Sequence, residues 1–352
     1  MEPLPRDLLA KYFFEIHDIL FQNDQHHFGT RPRYLQLWTL LAFHTFMREG
    51  VDAAVFETHH GGEYDSTNVI DKPVVTAITT LGLDHIKQLG PSIENITWHK
   101  AGIFKRGASA ISAPQINSAI EVLKKRALEK DVNLQIINPD PSLPADIAQL
   151  KPDVQRTNCS VAVAVVTSFL DQMEDKNLSP LSTSDVLQGA KQFSWPGRFQ
   201  VVIDRKFQWF LDSAHNEMSI TLAAEWFLET CKMQRYATCI VFYLILMIFR
   251  IISPVARILI FSMITLQRDA VNVFELLTSS LASGGIQYAI FTTYEEGQDS
   301  KIHDGVFILP PFAFILLNLF QIRNLNLGQL PPKHNKLMPR SGKRLNLIRR
   351  SS

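Results

Sequence analysis

The chain has 352 residues, of which 46% are hydrophobic and 20% charged, so it is long enough for two domains with buried cores. Its formal net charge of +1 argues against nucleic acid as a partner and against a strongly acidic surface. Its three cysteines (Cys159, Cys231 and Cys239) lack CxxC spacing, which argues against a disulfide framework or a thiolate zinc site and favours a reducing compartment.

The first segment, MEPLPRDLLAKYFFEIHDIL, has an acid at position 2 and no long apolar core. We therefore expect it to be part of a domain and not a signal peptide.

Short apolar runs alternate with helix-length segments in the first half of the chain. The predicted strands are 51–57, 74–80, 108–113 and 134–138. Helical patterns cover 34–47 and 119–130 and are expected again over 158–170, after a Pro- and Asp-rich loop at 138–153. Strands that are apolar on both faces and separated by helices predict a parallel sheet, and therefore an α/β domain.

The pattern restarts around SWPGRFQ, where we place the domain boundary. Two strand-like runs, FQVVID and QWFLDS, precede the helical SITLAAEWFLETCK. The runs 256–262 and 288–294 then flank the helical DAVNVFELLTSSLAS, which predicts a second βαβ unit. We therefore expect one domain over 1–193 and a smaller one over 194–310.

The segment 236–249 is almost wholly apolar and ends at Arg250, which makes it shorter than the roughly 20 residues that span a bilayer. A buried helix or strand, a membrane span and sequence foreign to the fold all remain open, and we treat about 236–252 as an apolar insertion. The basic tail, 311–352, is expected to be disordered.

Polar side chains follow two predicted strands of the first sheet. Glu57 ends one strand and is followed by Gly61 and Gly62, and Asp65 can hold this loop or cap the next element. Asp84 and His85 follow the next strand. The carboxyl ends of parallel strands meet at one sheet edge, so these groups should face one crevice. A carboxylate beside an imidazole suits Mg²⁺ or Mn²⁺.

Several nearby residues also have a purely structural interpretation. His59, His60 and His99 fit loop or surface positions, and Lys100 taken alone is typical of a solvated lysine. In the second half, Asp212 follows a strand, as does His215 in WFLDSAHN. Arg198, beside Pro196 and Gly197, is either a phosphate clamp or a surface charge.

Taken together, these motifs resemble the folylpolyglutamate synthases of the Mur ligase superfamily. The resemblance lies in the opening KYFFEIHDIL, in HFGTRPRYLQLWTLLAFHTFMREGVDAAVFET, GGEYDSTN, ITTLGLDHIKQLGPSIENITWHKAGIFKRG, WPGRFQ, LDSAHN, RILIFSMITLQRD and FTTYEE. It covers most of 6–230 and resumes over about 256–297. His59 and His60 stand where many relatives have Gly and an aliphatic residue, so the resemblance does not make them ligands.

The resemblance implies a P-loop-type parallel-sheet domain followed by a smaller Rossmann-like α/β domain. It implies an ATP-dependent ligase that joins L-glutamate to the γ-carboxyl of a reduced folate polyglutamate through an acyl phosphate. Mg²⁺ would be held by Glu57, His85 and a carbamylated Lys100, with His85 and Lys100 as catalytic residues. The nucleotide would meet Arg198, Asp212, His215 and Asn216. A monomer in the cytosol or mitochondrion, without nucleic-acid or membrane partners, is expected.

The chain departs from the family in one motif. No G-x-x-x-x-G-K-[ST] phosphate-binding loop occurs, and SGKR at 341–344 lacks both the first glycine and the hydroxyl residue. We therefore expect a chain truncated before and through that loop. A non-catalytic remnant, the product of an incorrect gene model, a protein with a membrane anchor, and a metal-dependent hydrolase built on Glu57, His59, His60 and His85 remain as alternatives.

Overall fold

The computed structural model describes residues 3–21, 32–173, 179–204, 207–232, 237–242, 257–262, 270–284, 286, 288–292 and 306–309. The helices are α1 (Arg6–Phe21), α2 (Tyr34–Glu49), α3 (Ile86–Leu89), α4 (Ile93–Lys100), α5 (Asn117–Lys130), α6 (Asp153–Gln172), α7 (Thr183–Gln192), α8 (Glu217–Lys232) and α9 (Ala270–Ser280). The strands are β1 (Val75–Ile78), β2 (Ser109–Ser112), β3 (Leu134–Ile136), β4 (Gln200–Asp204), β5 (Phe207–Asp212), β6 (Ala237–Phe242), β7 (Arg257–Ser262), β8 (Tyr288–Thr292) and β9 (Val306–Leu309).

Two compact units make up the chain. The first consists of Met1–Asp140 and Thr157–Ser182, and the second of Pro141–Arg156 and Thr183–Ser352. This division falls before α7, whereas the boundary expected from the sequence, 193/194, follows it. Helix α7 packs with the 3-10 helix Ala148–Leu150, which belongs to the second unit.

The first unit contains a parallel sheet in the order β1-β2-β3. Ala110 on β2 packs in one core cluster with Leu123 of α5, and the next residue, Ile111, packs in another with Val161 of α6. Alternate residues of a strand point to opposite faces, so helices cover both faces of this sheet. The three strands 75–78, 109–112 and 134–136 confirm the predictions made for those runs.

The strand predicted over 51–57 is wrong, because this segment forms no strand in the structure. The side chain of Val55 is 91% exposed, although it lies in an apolar run. A strand needs a neighbouring strand to satisfy its backbone hydrogen bonds, and none of the described residues pairs with this segment. The polar loop after it therefore begins from an irregular extended segment.

The second unit has a six-stranded sheet in the order β4-β5-β6-β7-β8-β9. Strands β5 to β8 are parallel, and the edge strands β4 and β9 pair antiparallel. Its core joins Phe210 of β5, Phe227 of α8, Leu259 of β7 and Phe274 of α9. The connection β7-α9-β8 confirms the predicted second βαβ unit.

Part of the apolar segment 236–249 is a strand, because β6 lies between β5 and β7. Residues 243–252 and the tail 311–352 lie outside the described residues, and so do the predictions made for them. Within the described part of the chain, no helix is both long and apolar enough to cross a membrane.

Candidate functional site

Asp65 closes the loop that carries the candidate acid and histidines. One carboxylate oxygen accepts the backbone N–H of His60 at 2.7 Å, and the other accepts the N–H and hydroxyl of Thr67 at 2.9 and 2.7 Å. Burial alone would raise the pKa of Asp65, but these hydrogen bonds outweigh burial and lower it. An ionised, buried carboxylate therefore fixes the backbone of the loop, as expected from Asp65 in the sequence.

The two glycines of the loop lie directly against the end of α4. A Cβ atom on Gly62 would lie 2.5 Å from the carbonyl oxygen of His99 and 2.8 Å from that of Lys100. The next N–H, of Glu63, donates to the His99 carbonyl at 2.7 Å. Only a glycine permits this approach, so the loop backbone is held against the backbone of Lys100.

A buried arginine forms the second anchor of the loop. Arg126 of α5 donates to the Glu63 carboxylate and, at 2.8 Å, to Glu129, and its guanidinium lies 4.4 Å from the centre of the Trp98 ring. Its side chain is 7% exposed. No local sequence pattern predicts this contact, because Glu63 and Arg126 are 63 positions apart in the chain.

Lys100, the predicted carbamylated lysine, has two carboxylates near its amino group. Burial lowers the pKa of this lysine, whereas the charges of Asp84 and Glu57 oppose that shift. The charges of Glu57 and Asp84 thus both reach the Lys100 amine, and a metal site shared by Glu57 and Lys100 stays a prediction. A buried amine with a lowered pKa is more often neutral, which is the form that reacts with carbon dioxide.

His85 lies beside the same group of charges. Its backbone is left-handed, with φ 53°, and its Nε2 atom is 3.8 Å from a carboxylate oxygen of Asp84. The centre of its ring is 4.3 Å from that of His60. Burial lowers the pKa of His60, and the nearby His85 and Lys100 lower it further, so this imidazole is neutral near pH 7.

The donor chemistry of this cluster decides whether Mg²⁺ fits. Within the described residues, no three His, Cys, Asp or Glu side chains are gathered as a metal site. The hydrolase alternative, which needs such a group, therefore has no support there. A carbamate on Lys100 would replace a repelling ammonium with oxygen donors beside Glu57, and oxygen donors are what Mg²⁺ prefers. The residues therefore fit Mg²⁺ when Lys100 is carbamylated.

In the second unit, Asp212 ties two predicted motifs together. Its carboxylate accepts the N–H groups of Phe199 and Ala214, both at 2.8 Å. Burial raises the pKa of Asp212 and outweighs both these hydrogen bonds and the nearby charge of Arg198. Asp212 therefore holds the turn that contains Arg198 against the start of the LDSAHN loop.

His215 and Asn216 lie at the N-terminus of α8. The side-chain oxygen of Asn216 accepts the N–H of Ser219 at 2.9 Å, and the Ser219 hydroxyl accepts the N–H groups of His215 and Asn216 at 3.1 and 3.2 Å. This is a reciprocal helix cap. The structural role of Asn216 is thus visible directly, and the helix N-terminus that it organises favours negative charge.

Arg198 lies at a small cavity of about 200 Å³ within the second unit. Lys151, Gln155, Trp195 and Gln200 also line it. Two cations, amide groups and an aromatic ring give this cavity the character of a site for a polar or anionic group. The structure therefore places Arg198, Asp212, His215 and Asn216 around two adjoining loops of one unit.

Comparison with known proteins identifies homologues. No family model matches the chain. It is 41% identical to folylpolyglutamate synthase of Neurospora crassa over 239 residues. The matched region covers 65% of this chain and 45% of that protein. It is 38% identical over 226 residues to a probable folylpolyglutamate synthase of Schizosaccharomyces pombe, covering 64% and 45%. The chain thus spans about half the length of the curated relatives that it matches.

Solved structures agree with the sequence comparison. The apo form of L. casei folylpolyglutamate synthase matches with a TM-score of 0.59 and 25% identity, over 68% of this chain and 62% of that one. A folylpolyglutamate synthase in complex with AMPPCP matches with a TM-score of 0.62 and 25% identity, over 83% and 76%. These matches confirm the resemblance and the α/β fold of the Mur ligase type.

Proposed function

Because the chain is homologous to the folylpolyglutamate synthases, we propose that it is an ATP-dependent ligase of that family. It adds L-glutamate to the γ-carboxyl of a reduced folate that already carries glutamate, as a monomer in the cytosol or mitochondrion. The observation that carries the proposal is the Lys100 amine, whose pKa burial lowers and on which the charges of Asp84 and Glu57 act in the opposite direction. The resemblance assigns a carbamylated metal ligand to that position.

The first unit supplies the cation site in this proposal. Glu57, His85 and carbamylated Lys100 hold Mg²⁺, which when bound neutralises charge on phosphate oxygens. Gly62 keeps the loop backbone against Lys100, and Asp65 keeps the loop closed, so the donors do not need to be ordered at the moment of reaction.

The second unit supplies contacts to the nucleotide. Arg198 is the group suited to phosphate oxygens, because a guanidinium binds them through two parallel hydrogen bonds. Asp212 holds the turn that carries Arg198, and Asn216 organises the N-terminus of α8. A solved relative in complex with the ATP analogue AMPPCP supports a nucleotide substrate.

The proposed reaction consists of two group-transfer steps, and no oxidant or reductant takes part in it. The γ-carboxylate oxygen of the folate forms a bond to the terminal phosphorus of ATP, and ADP leaves. The amine of L-glutamate then forms a bond to the activated carbonyl carbon, inorganic phosphate leaves, and the amine loses a proton. Orientation of the substrates and neutralisation of charge are the main contributions expected from the protein.

The test is ligation of labelled L-glutamate to a reduced folate by the full chain with MgATP. We expect Lys100→Ala to lower the rate at least ~100-fold, because a metal-ligand position is lost. Lys105→Ala is the matched control, because among the described residues the Lys105 ammonium donates to the backbone carbonyl of Asn68, at 3.2 Å, and to no proposed ligand. Carbamate formation is measured separately, from the carbon-13 signal of labelled carbon dioxide bound to the chain.

Two results would contradict the proposal. One is a wild-type chain that ligates no glutamate with any reduced folate although it binds MgATP, which would favour a non-catalytic remnant. The other is equal ligation rates for wild type and Lys100→Ala. The sequence has no G-x-x-x-x-G-K-[ST] motif, so binding of MgATP is itself in question. Nucleotide binding is therefore measured separately from ligation.

A further inference from the structure

The cavity at Arg198 in the second unit is lined by charge of one sign. Lys151 and Arg198 both line it, and no aspartate or glutamate is among the described residues that do. Asp212 is outside this lining, and its two carboxylate oxygens accept the backbone N–H groups of Phe199 and Ala214. A concave surface of one charge attracts ligands of the opposite charge, so the cavity favours an anion.

The turn that carries Arg198 is fixed before any ligand binds. The N–H of Gly197 donates to the side-chain oxygen of Gln200 at 2.8 Å. Phe199 has a φ of 44°, in the left-handed region that bulky residues rarely adopt, and its ring centre lies 5.5 Å from that of Trp226. Such backbone persists where its surroundings enforce it, and it is frequent at binding sites. Arg198 is therefore presented to the cavity by a preorganised turn.

A second segment, which carries Lys151, is also tied down. The N–H of Lys151 donates to the carbonyl of Ala148 at 3.1 Å, at the end of a 3-10 helix. The neighbouring Gln149 donates from its side chain to the carbonyl of Lys191 in α7 at 2.9 Å. The two cations thus lie on two anchored segments of one unit, and little order has to be gained when an anion binds between them.

The size and the lining of the cavity narrow the class of ligand. Its volume of about 200 Å³ is below the roughly 300–1,000 Å³ of pockets for larger molecules, so it suits a small anion and not a whole nucleotide. Phe193 and Trp195 add aromatic surface beside the cations. Gln200 also lines it, and because its amide oxygen accepts the Gly197 N–H, its NH2 group remains to donate. Two carboxylates joined by methylene groups match this lining better than inorganic phosphate, which has no apolar part.

A glutamyl unit is such a dicarboxylate, and its nitrogen distinguishes two sources. Free L-glutamate carries an ammonium group, which would meet Lys151 and Arg198 and find no carboxylate in the described lining. The terminal glutamyl unit of a longer molecule has its nitrogen in a neutral amide. The lining therefore favours the acylated glutamyl unit over the free amino acid.

We propose that this cavity binds the terminal glutamyl unit of the acceptor folate, with Lys151 and Arg198 as the partners of its two carboxylates. The assignment rests on the proposed function, and it names residues that hold the acidic substrate of that reaction. The γ-carboxylate of this unit forms a bond to the terminal phosphorus of ATP there, so carboxylate and phosphate meet at one place. Arg198, assigned above to phosphate, lines the cavity and fits this requirement. Lys151 is the additional specificity-determining residue.

The first test needs no variant. Calorimetric titrations of the full wild-type chain, without nucleotide, compare N-acetyl-L-glutamate with N-acetyl-L-glutamine, free L-glutamate and inorganic phosphate. We expect N-acetyl-L-glutamate to bind about tenfold more tightly than each of the others, because it alone combines two carboxylates with a neutral nitrogen. If any of the three binds as tightly, or if N-acetyl-L-glutamate does not bind, the proposal is overturned.

The second test is Lys151→Met, which should weaken binding of N-acetyl-L-glutamate about tenfold through loss of a charge-assisted hydrogen bond. Lys191→Met is the matched control. It removes the same charge from the same unit, and Lys191 is not among the residues that line the cavity. We expect its affinity to stay within about twofold of wild type, as for other solvated charges. Equal affinities of the two variants would overturn the proposal.

These titrations are independent of turnover. A chain that ligates no glutamate can still bind N-acetyl-L-glutamate, and an active chain can still bind it equally well after Lys151→Met. Where the chain is active, Lys151→Met should raise the KM for the folate about tenfold and change the KM for ATP less than about twofold. Equal rises in both KM values would indicate a structural role and contradict the assignment.

Discussion

The substitution Arg126→Met tests whether the buried ion pair with Glu63 holds the loop at 56–68. Arg126 is almost fully buried, and the Glu63 side chain is 21% exposed. Removing one partner of a buried pair costs about 3–5 kcal/mol, because the other charge is left without compensation. Lys130 lies 3.5 Å from the Glu63 carboxylate and partly replaces the lost charge, so we expect the lower end, about 3 kcal/mol.

A double-mutant cycle separates the pair from the packing around it. Arg126→Met with Glu63→Met leaves neither of the two charges of the pair in the interior, so the double variant should lose only about 1 kcal/mol relative to wild type. Part of that loss is the contact of the guanidinium with Trp98. Urea unfolding followed by circular dichroism gives the free energies, and hydrogen exchange of residues 56–68 shows where the loosening occurs.

Lys124→Met is the control on the same helix. Lys124 pairs with Glu121 at 2.9 Å, and both side chains are more than half exposed, so its loss should change stability by less than about 0.5 kcal/mol. The reasoning is refuted if Arg126→Met costs no more than this control. It is equally refuted if the double variant is less stable than Arg126→Met alone.

Three further outcomes are expected. Gly102→Ala should destabilise the chain by about 2 kcal/mol or more in thermal unfolding, because its Cβ would lie 2.3 Å from the Cα of Glu63. Gly189→Ala, inside α7 with no atom within 4 Å of its Cβ, should instead stabilise the chain by about 0.5–1 kcal/mol. The pKa of Asp212 is raised above 3.8 by burial, so its contribution to stability is present below about pH 3.8 and is lost as pH rises through the folded value. Between about pH 4 and pH 7 the unfolding free energy of wild type should therefore fall relative to that of Asp212→Asn, and parallel curves would contradict this.

The correctly predicted strand β2 has an apolar run that is covered on both faces. Ala110 and Ile111 show this, since each is buried by a different helix. The run 51–57 is also largely apolar but forms no strand, because pairing depends on a neighbour and not on the run itself. For 236–249 composition left three alternatives, and only the pairing of β6 with β5 and β7 identifies its first part as a strand.

The candidate site was predictable to the extent that it follows local order along the chain. Asp65, beside its loop partners in sequence, was expected to hold the loop, and it does. Arg126 was not predicted, because its partner Glu63 lies far away in sequence. The contact of His60 with His85 was not predicted either. The two residues are far apart in sequence, and adjacent histidines in a loop do not show which of the two rings turns inward.

The loop at 56–68 is held in two ways, one through its backbone and one through the side chain of Glu63. Loss of a metal ligand and loss of a support can therefore be told apart by experiment. Asp65 and Gly62 hold the loop through its backbone, so Lys100→Ala removes a proposed metal-ligand position and leaves the loop in place. Arg126 acts on the side chain of Glu63, so its loss should loosen the loop and weaken cation binding together. Weaker Mg²⁺ binding with unchanged hydrogen exchange at 56–68 is therefore the signature of a lost ligand. Weaker binding with faster exchange is the signature of a lost support.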